Sequence, residues 1–522
     1  MNPKYITLTL LNQLKLTVLS CVMPMIDRGL SLHEILAIVE GEEEDSTDIF
    51  IEPPEANVNL HEDSGEEDGE GNIDNLGPRQ LQAGAEVVLV VDLRWPCLLL
   101  RAIGLWAPEQ GCLRRLYSAY TLWSLLQLVA SVAGQLAGLR GHWDHLPTVA
   151  TSVCLVVTSV CTLFKASSFA LRRRRVDALV RRVAANLSRF CAHRPRARAA
   201  VVRRARARAL RMITTFLGIG GVALVFFYLG PVIQNVKDNR LKAAAAANET
   251  LDPLLGRNLA MLLWWPRGQP VGAPAYQLAY VGVCYWLMLL YLSTSTLDTF
   301  YVTLIIYLSS QLKVLNIDFL SIAEGADGGG DDDDDSLVEQ GRPLSRPETV
   351  HKLPVKLPNA YDKTKAQRTH ERLLECIIFH QEVIKSVDEM ESILSASILV
   401  QFLASTLVIC FTAFVITTAE NKQDLPTYIT YLATMFYELF LYCWYGNELL
   451  AESERLQTSA YGCGWPGAGA GFQRTLRVAM ARLQRPICLT AGKFYKISRE
   501  TFLLLLNGSY SYFALLHQMN DR

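Results

Sequence analysis

Apolar and polar positions in this chain are gathered into long blocks rather than alternated. Uncharged, largely apolar runs occupy 116–139, 146–164, 212–236, 268–297 and 392–419. A sixth, 425–447, is broken only by Glu438, and a seventh covers 501–520. A hydrocarbon core ~30 Å thick takes about 20 residues of helix. Each run therefore predicts a spanning helix, and the fold class expected is an all-α membrane protein with seven transmembrane helices. The fourth run is long enough to hold loop as well as helix. Residues 4–26 are a weaker eighth run, shortened by Lys15 and Asp27, which imitates a signal peptide without a convincing cleavage site.

The polar blocks set the orientation, because cytoplasmic loops collect Lys and Arg. Residues 172–211, between the second and third runs, carry 15 Arg and one acid, Asp177. The stretch between the sixth and seventh runs is again basic, with Arg474, Arg477, Arg482, Arg485, Lys493 and Lys496, whereas the other short connections are nearly neutral. The N-terminus is thus expected in the cytoplasm and the C-terminus outside. A glycosylation sequon at Asn248 falls in a loop that this topology exposes outside, and one at Asn186 falls inside. Seven-helix receptors that couple to G proteins have the opposite orientation. The chain also lacks a DRY-like motif after its third run and an NPxxY in its seventh.

Composition adds a division. Half of the 522 residues are hydrophobic and 19% are charged, below the ~25% of soluble domains. Residues 1–90 contain 18 acidic and 4 basic residues, so the net charge of −1 conceals an acidic leader on a basic body. The organisation expected is an acidic disordered leader (1–90), a cytoplasmic lead-in (91–117), four spans (118–309), a cytoplasmic link with an acidic insertion at 328–335 (310–391), and three spans with an anchor region (392–522). The 12 cysteines are scattered without CxxC pairs, which predicts neither a disulfide framework nor a metal site. The Arg-rich stretch is interleaved with Leu, Val and Ala between two spans. It predicts juxtamembrane helix facing anionic lipid rather than nucleic acid.

Two resemblances can be drawn. The string SLHEILAIVEGEEEDSTDIFIEPPEANVNLHEDSGEEDGEGNIDNLGPRQLQAGAE (31–86) resembles the acidic leader of piggyBac-type transposases, which implies a chimeric gene model. FYELFLYCWYGNELLAESERLQTSAYGCGW (436–465), RLQRPICLTAGKFYKISRETFLLLLNGSYSYFALLHQMN (482–520) and VDLRWPCLLLRAIGLWAP (91–108) closely resemble the insect odorant receptor family. That resemblance implies an odorant-gated, non-selective cation channel in the plasma membrane of olfactory sensory neurons. It implies an odorant-binding subunit that assembles with a shared co-receptor, as a tetramer whose seventh helices line the pore. The SYSYF string and the terminal Leu-Leu-His-Gln-Met-Asn mark the odorant-binding kind.

The resemblance implies site residues as well. The pore and gate fall on Ser511, Leu515, Gln518 and Met519, which share one face of the seventh helix at 100° per residue. Polar residues at membrane depth face a bundle interior or water, and an apolar ring in such a stripe gates by dewetting. A pocket for a small volatile ligand needs aromatics, branched aliphatics and a few hydroxyls. The family places it among the second, third, fourth and sixth helices. There the chain offers Val153, Leu224, Phe227, Tyr228, Tyr280, Cys284, Met288, Tyr428 and Tyr431, the last two spaced i,i+3. Trp444, Gly446, Asn447, Glu448 and Ser453 match the family's subunit anchor, Glu438 is expected to pair with a Lys or Arg, and Pro486 ends a helix. No catalytic, cofactor or metal motif is present. The residues alone leave open a metabotropic or gustatory-type seven-helix receptor; no inverted repeat supports a transporter.

Overall fold

The computed structural model describes residues 50–51, 85–86, 94–106, 113–140, 146–190, 195–244, 258–261, 273–324, 360–419 and 424–520. The chain divides into two units, Met1–Val90 and Val91–Arg522. In the first, Phe50–Ile51 (β1) pairs antiparallel with Ala85–Glu86 (β2). The rest of the leader, the 4–26 run, the 328–335 insertion and Asn248 lie outside the described residues.

The second unit is a helical bundle. Its helices are α1 (Arg94–Ala102), α2 (Leu113–Leu139), α3 (Leu146–Phe190), α4 (Pro195–Ala244), α5 (Ala273–Glu324), α6 (Ala360–Thr418), α7 (Leu425–Tyr461) and α8 (Ala470–Leu483). A hairpin of Thr490–Ala491 (β3) and Tyr495–Lys496 (β4) leads into α9 (Arg499–Asn520). The helices run well past the apolar windows. Charge ends a hydropathy window, but the stretch that follows residue 164 is rich in Arg, Ala and Leu and has no Gly or Pro, so α3 runs on to Phe190, 45 residues in all. Pro195 then opens α4, where its missing N–H costs nothing. Two helices thus cover the Arg-rich stretch on either side of a short connection. The expected break at Pro486 is present, with α8 ending at Leu483.

Among the described residues, five helices (α2 to α6) are long and apolar enough to cross a membrane. The sixth and seventh runs lie within α7 and α9, whose Glu438 and polar series dilute them. The core centres on α5, which is buried all round near its middle. Leu297, Phe300, Tyr301, Val302, Ile305 and Tyr307 are all buried, and α3, α4, α6 and α7 surround them. The outward surface is greasy, with Trp123, Val222, Val225, Leu278, Val281 and Leu403 exposed, as suits contact with acyl chains. Beside the exposed Leu116 and Leu171 stand the exposed Arg115, Arg174 and Arg175.

Two glycines fix how the C-terminal segment seats. A Cβ at Gly446 of α7 would meet Ile497 Cγ2 at 2.5 Å. At Gly492 the backbone is left-handed (φ +60°), a Cβ would run into Leu399 Cδ2, and its N–H donates to the Ser395 carbonyl (2.9 Å). Both sit in the strings that carry the family resemblance.

Candidate functional site

On α3, Thr151, Cys154, Leu155 and Thr158 follow i, i+3, i+4, i+7 spacing and share a face. Thr151, Cys154 and Leu155 meet Phe227 of α4, Thr412 and Val415 of α6, and Tyr428 and Tyr431 of α7 around a small cavity. It holds about 10 Å³ of room for the centre of a water-sized body. Phe227 and Tyr431 pack edge to face with ring centroids 5.7 Å apart. The Tyr431 hydroxyl pairs with Thr158 Oγ1 at 2.7 Å, and Thr158 also donates to the Cys154 carbonyl (2.9 Å). An aromatic wall with a few hydroxyls suits a small, mostly apolar ligand.

A second group adjoins the first. Leu155, Met261, Val283 and Leu287 form a buried cluster, and Leu224, Phe227, Tyr228, Ala260 and Trp286 pack against it. The Tyr228 hydroxyl donates to the Cys284 carbonyl (2.7 Å) and that of Tyr280 to the Tyr228 carbonyl (2.6 Å). Pro231 removes the N–H that would bond the Phe227 carbonyl. Neighbouring carbonyls on this turn, those of Phe226 and Tyr228, accept from Thr427 and Tyr280.

Of the sequence-derived ligand residues, then, Phe227, Tyr428 and Tyr431 line the cavity. Leu224, Tyr228, Tyr280 and Cys284 build the adjoining group. Val153 and Met288 line neither space. Val153 is about 100° around α3 from Cys154, and Met288, 40% exposed, is likewise one position off the buried Leu287. Sequence reasoning missed Thr151, Cys154, Leu155, Met261, Thr412 and Val415. The helical spacing of the α3 residues was a usable signal. Nothing in the sequence pointed to α6 or to Met261.

One step deeper, a polar cavity lies among Thr158, Cys161, Thr162, Thr294, Gln401, Ser405 and Glu438. Next to it is a buried charge cluster in which the side chains of Lys165, Asp298 and Glu438 are each 1% exposed. Lys165 Nζ donates to Asp298 Oδ1 (2.6 Å) and Glu438 Oε1 (3.2 Å), and the Tyr442 hydroxyl also donates to Asp298 Oδ1 (2.6 Å). Glu438 thus has the basic partner the sequence required. Lys165 and Asp298 were the residues at which two apolar windows stopped, which hid them as members of the core.

The described contacts of the anchor block tie α7 to the segment leading into α9 and to α4 and α5. Asn447 Oδ1 accepts from the Arg499 N–H (3.4 Å), and the Arg499 guanidinium lies 4.1 Å from the Trp444 ring centroid. Ser453 Oγ accepts from the Ile487 N–H (2.7 Å). Glu448 pairs with Arg208 and with Lys313 (2.5 Å). Burial raises the Glu448 carboxyl, but the two cations outweigh it and hold the group below the usual carboxylate range. Beyond this block α9 packs on α6 and α7 through Thr501, Phe502, Ser509 and Phe513. Ser511, Leu515, Gln518 and Met519 lie together on an outward face, with Leu515 54% and Met519 66% exposed.

A bundle of long apolar helices enclosing a small, mostly apolar cavity, with one face of its C-terminal helix turned outward, is the architecture of a polytopic membrane protein. The family model described as 7tm Odorant receptor matches residues 145–510, more than half of the chain, so the chain belongs to that family. Putative odorant receptor 92a of Drosophila melanogaster is 34% identical over 140 residues, covering 27% of this chain and 34% of the relative. Odorant receptor Or2 of Anopheles gambiae is 29% identical over 147 residues, 28% of this chain and 39% of the relative. These matches span less than half the length of the curated relatives. The fold is that of the olfactory receptor OR5 of Machilis hrabei in complex with eugenol, with a TM-score of 0.62 at 14% identity, covering 82% of this chain and 97% of that one.

Proposed function

We propose that the chain is the odorant-binding subunit of an odorant-gated, non-selective cation channel, formed with a shared co-receptor as a heterotetramer in the plasma membrane of olfactory sensory neurons. On this reading α2 to α7 and α9 are seven spans, with the N-terminus cytoplasmic and the C-terminus outside. The observation that carries it is the outward face of α9. Ser511, Leu515, Gln518 and Met519 are left uncovered by their own chain, and a stripe mixing polar and apolar side chains is unsuited to lipid. Around a central axis, the same stripe makes an aqueous path closed by Leu515 and Met519. The cavity beside Phe227, Tyr428 and Tyr431 is the ligand site, and the exposed arginines beside the greasy band support the orientation.

The test is reconstitution with a co-receptor in a protein-free bilayer, with no nucleotide present. A volatile-evoked cation current is expected; a response that needs G protein or nucleotide would instead assign a metabotropic receptor. An epitope after Arg522 should stain intact cells, and staining only after permeabilisation would reverse the topology.

A further inference from the structure

We infer that residues 258–261, between α4 and α5, are a plug in the ligand site, and that Met261 sets how long a ligand the site admits. The inference rests on the ligand-gated reading above. Connecting segments normally run over the surface. This one sends Met261 inward, where it is 4% exposed and shares a cluster with Leu155, Val283 and Leu287.

The segment is clasped in place by polar side chains of the two flanking helices. Asn235 of α4 meets it as a neighbouring strand would. Its Oδ1 accepts from the Asn258 N–H (2.6 Å) and its Nδ2 donates to the Asn258 carbonyl (3.3 Å). Asn258 Nδ2 donates to Asp238 Oδ2 (2.8 Å), and the Tyr276 hydroxyl donates to the Asn258 carbonyl (2.9 Å). Two short anchoring helix ends thus hold one backbone position, three residues before the methionine.

Chemistry specifies what would take the place of Met261. The nearby hydroxyls of Tyr228 and Tyr280 are committed to backbone carbonyls. The space therefore recognises a hydrocarbon or aryl end, not a hydrogen-bonding group. Leu155 and Phe227 belong both to this cluster and to the wall of the cavity, so the two spaces are separated by little more than side chains. A methionine is a suitable plug, being unbranched, flexible and compatible with aromatic faces. Shortening it to alanine deletes three heavy atoms and lengthens the cavity by about that much chain.

The experiment has two arms. In the first, the chain and its Met261→Ala variant are co-expressed with a co-receptor and tested on straight-chain alcohols and alkyl-substituted phenols of graded length. The longest effective ligand should lengthen by about three carbons in the variant, with surface delivery unchanged. An unchanged length cut-off overturns the proposal. The second arm needs no current: Met261→Cys is exposed on intact cells to a membrane-impermeant thiol reagent, with the unsubstituted chain, which retains Cys284, as background. Labelling should be slow, and about tenfold faster when Asn235→Leu removes the clasp. Labelling as fast as a cysteine placed at the exposed Arg240, with or without Asn235, overturns the plug. If no volatile evokes current, the channel reading fails in the first arm while the labelling arm still decides the plug.

Discussion

Replacing Lys165 by methionine tests the buried charge cluster most directly. The lysine is 1% exposed and is the cation serving both Asp298 and Glu438, at 2.6 and 3.2 Å. Methionine keeps the stem volume but leaves two carboxylates facing each other among α3, α5 and α7. Removing one partner of a buried pair costs about 3–5 kcal/mol. At about 1.4 kcal/mol per tenfold, the ratio of folded to unfolded chain should fall by roughly two to three and a half orders of magnitude, most of a marginal protein's stability. Surface biotinylation and the size-exclusion profile of detergent extracts should show almost no mature protein. Adding Asp298→Asn and Glu438→Gln to Lys165→Met removes the unpaired charge and should restore most of it. Wild-type surface delivery of the single variant, or a triple variant no better than the single, would refute the claim that the carboxylates depend on Lys165.

Four further outcomes are expected. Leu515→Ser should raise ligand-independent current with a co-receptor while surface delivery stays normal, because this side chain is 54% exposed on the outward face of α9; normal resting current would remove α9 from the pore. Tyr431→Phe deletes a neutral hydrogen bond worth about 1 kcal/mol and leaves Thr158 satisfied by the Cys154 carbonyl, so half-maximal odorant concentrations should fall roughly fivefold, read from dose–response currents. Gly446→Ala should cost about 1–3 kcal/mol and cut surface delivery severalfold by pressing on Ile497, while Gly508→Ala, with nothing within 4 Å, serves as the tolerated control. Deleting residues 1–86, which fall within the first unit (Met1–Val90), should keep odorant current within about twofold; its complete loss would show the leader to be needed.

The parts legible in the sequence were those written in blocks. The described part of each apolar run lies in a helix to within a residue, and Pro486 follows the end of one, because burial in lipid or in a bundle imposes long stretches of like residues. Helix lengths were not legible: 164 to 190 reads as a change of polarity but not of helix propensity. The site was legible only by residue type. Aromatic and hydroxyl residues towards the ends of the runs include Phe227, Tyr428 and Tyr431, yet the rotation that brings Cys154 inward and turns Val153 aside depends on how α3 packs against α6. A tetrapeptide clasped by Asn235 leaves no periodic signal at all. The charge cluster was half visible, since Glu438 interrupts a run whereas Lys165 and Asp298 sit at run edges, where charges are expected.

Lys165 is seven residues after Thr158 on α3, and Glu438 is seven after Tyr431 on α7. The two helices are therefore laced twice on the same pair of faces, two turns apart. The upper rung is a neutral hydroxyl pair, worth about 1 kcal/mol; the lower is a buried ion pair whose rupture costs about 3–5 kcal/mol. A ligand seated beside Phe227 and Tyr431 competes only with the weaker rung. On the proposed function, a ligand that parts α3 from α7 there would open the hydroxyl rung first and pivot at the charge cluster. Below the pivot α7 continues without interruption into Trp444, Gly446 and Asn447, which hold Ile497 and Arg499 at the start of α9. On the same reading a tilt of α7 about Glu438 would reach, through side chains in contact, the base of the helix that carries Leu515 and Met519.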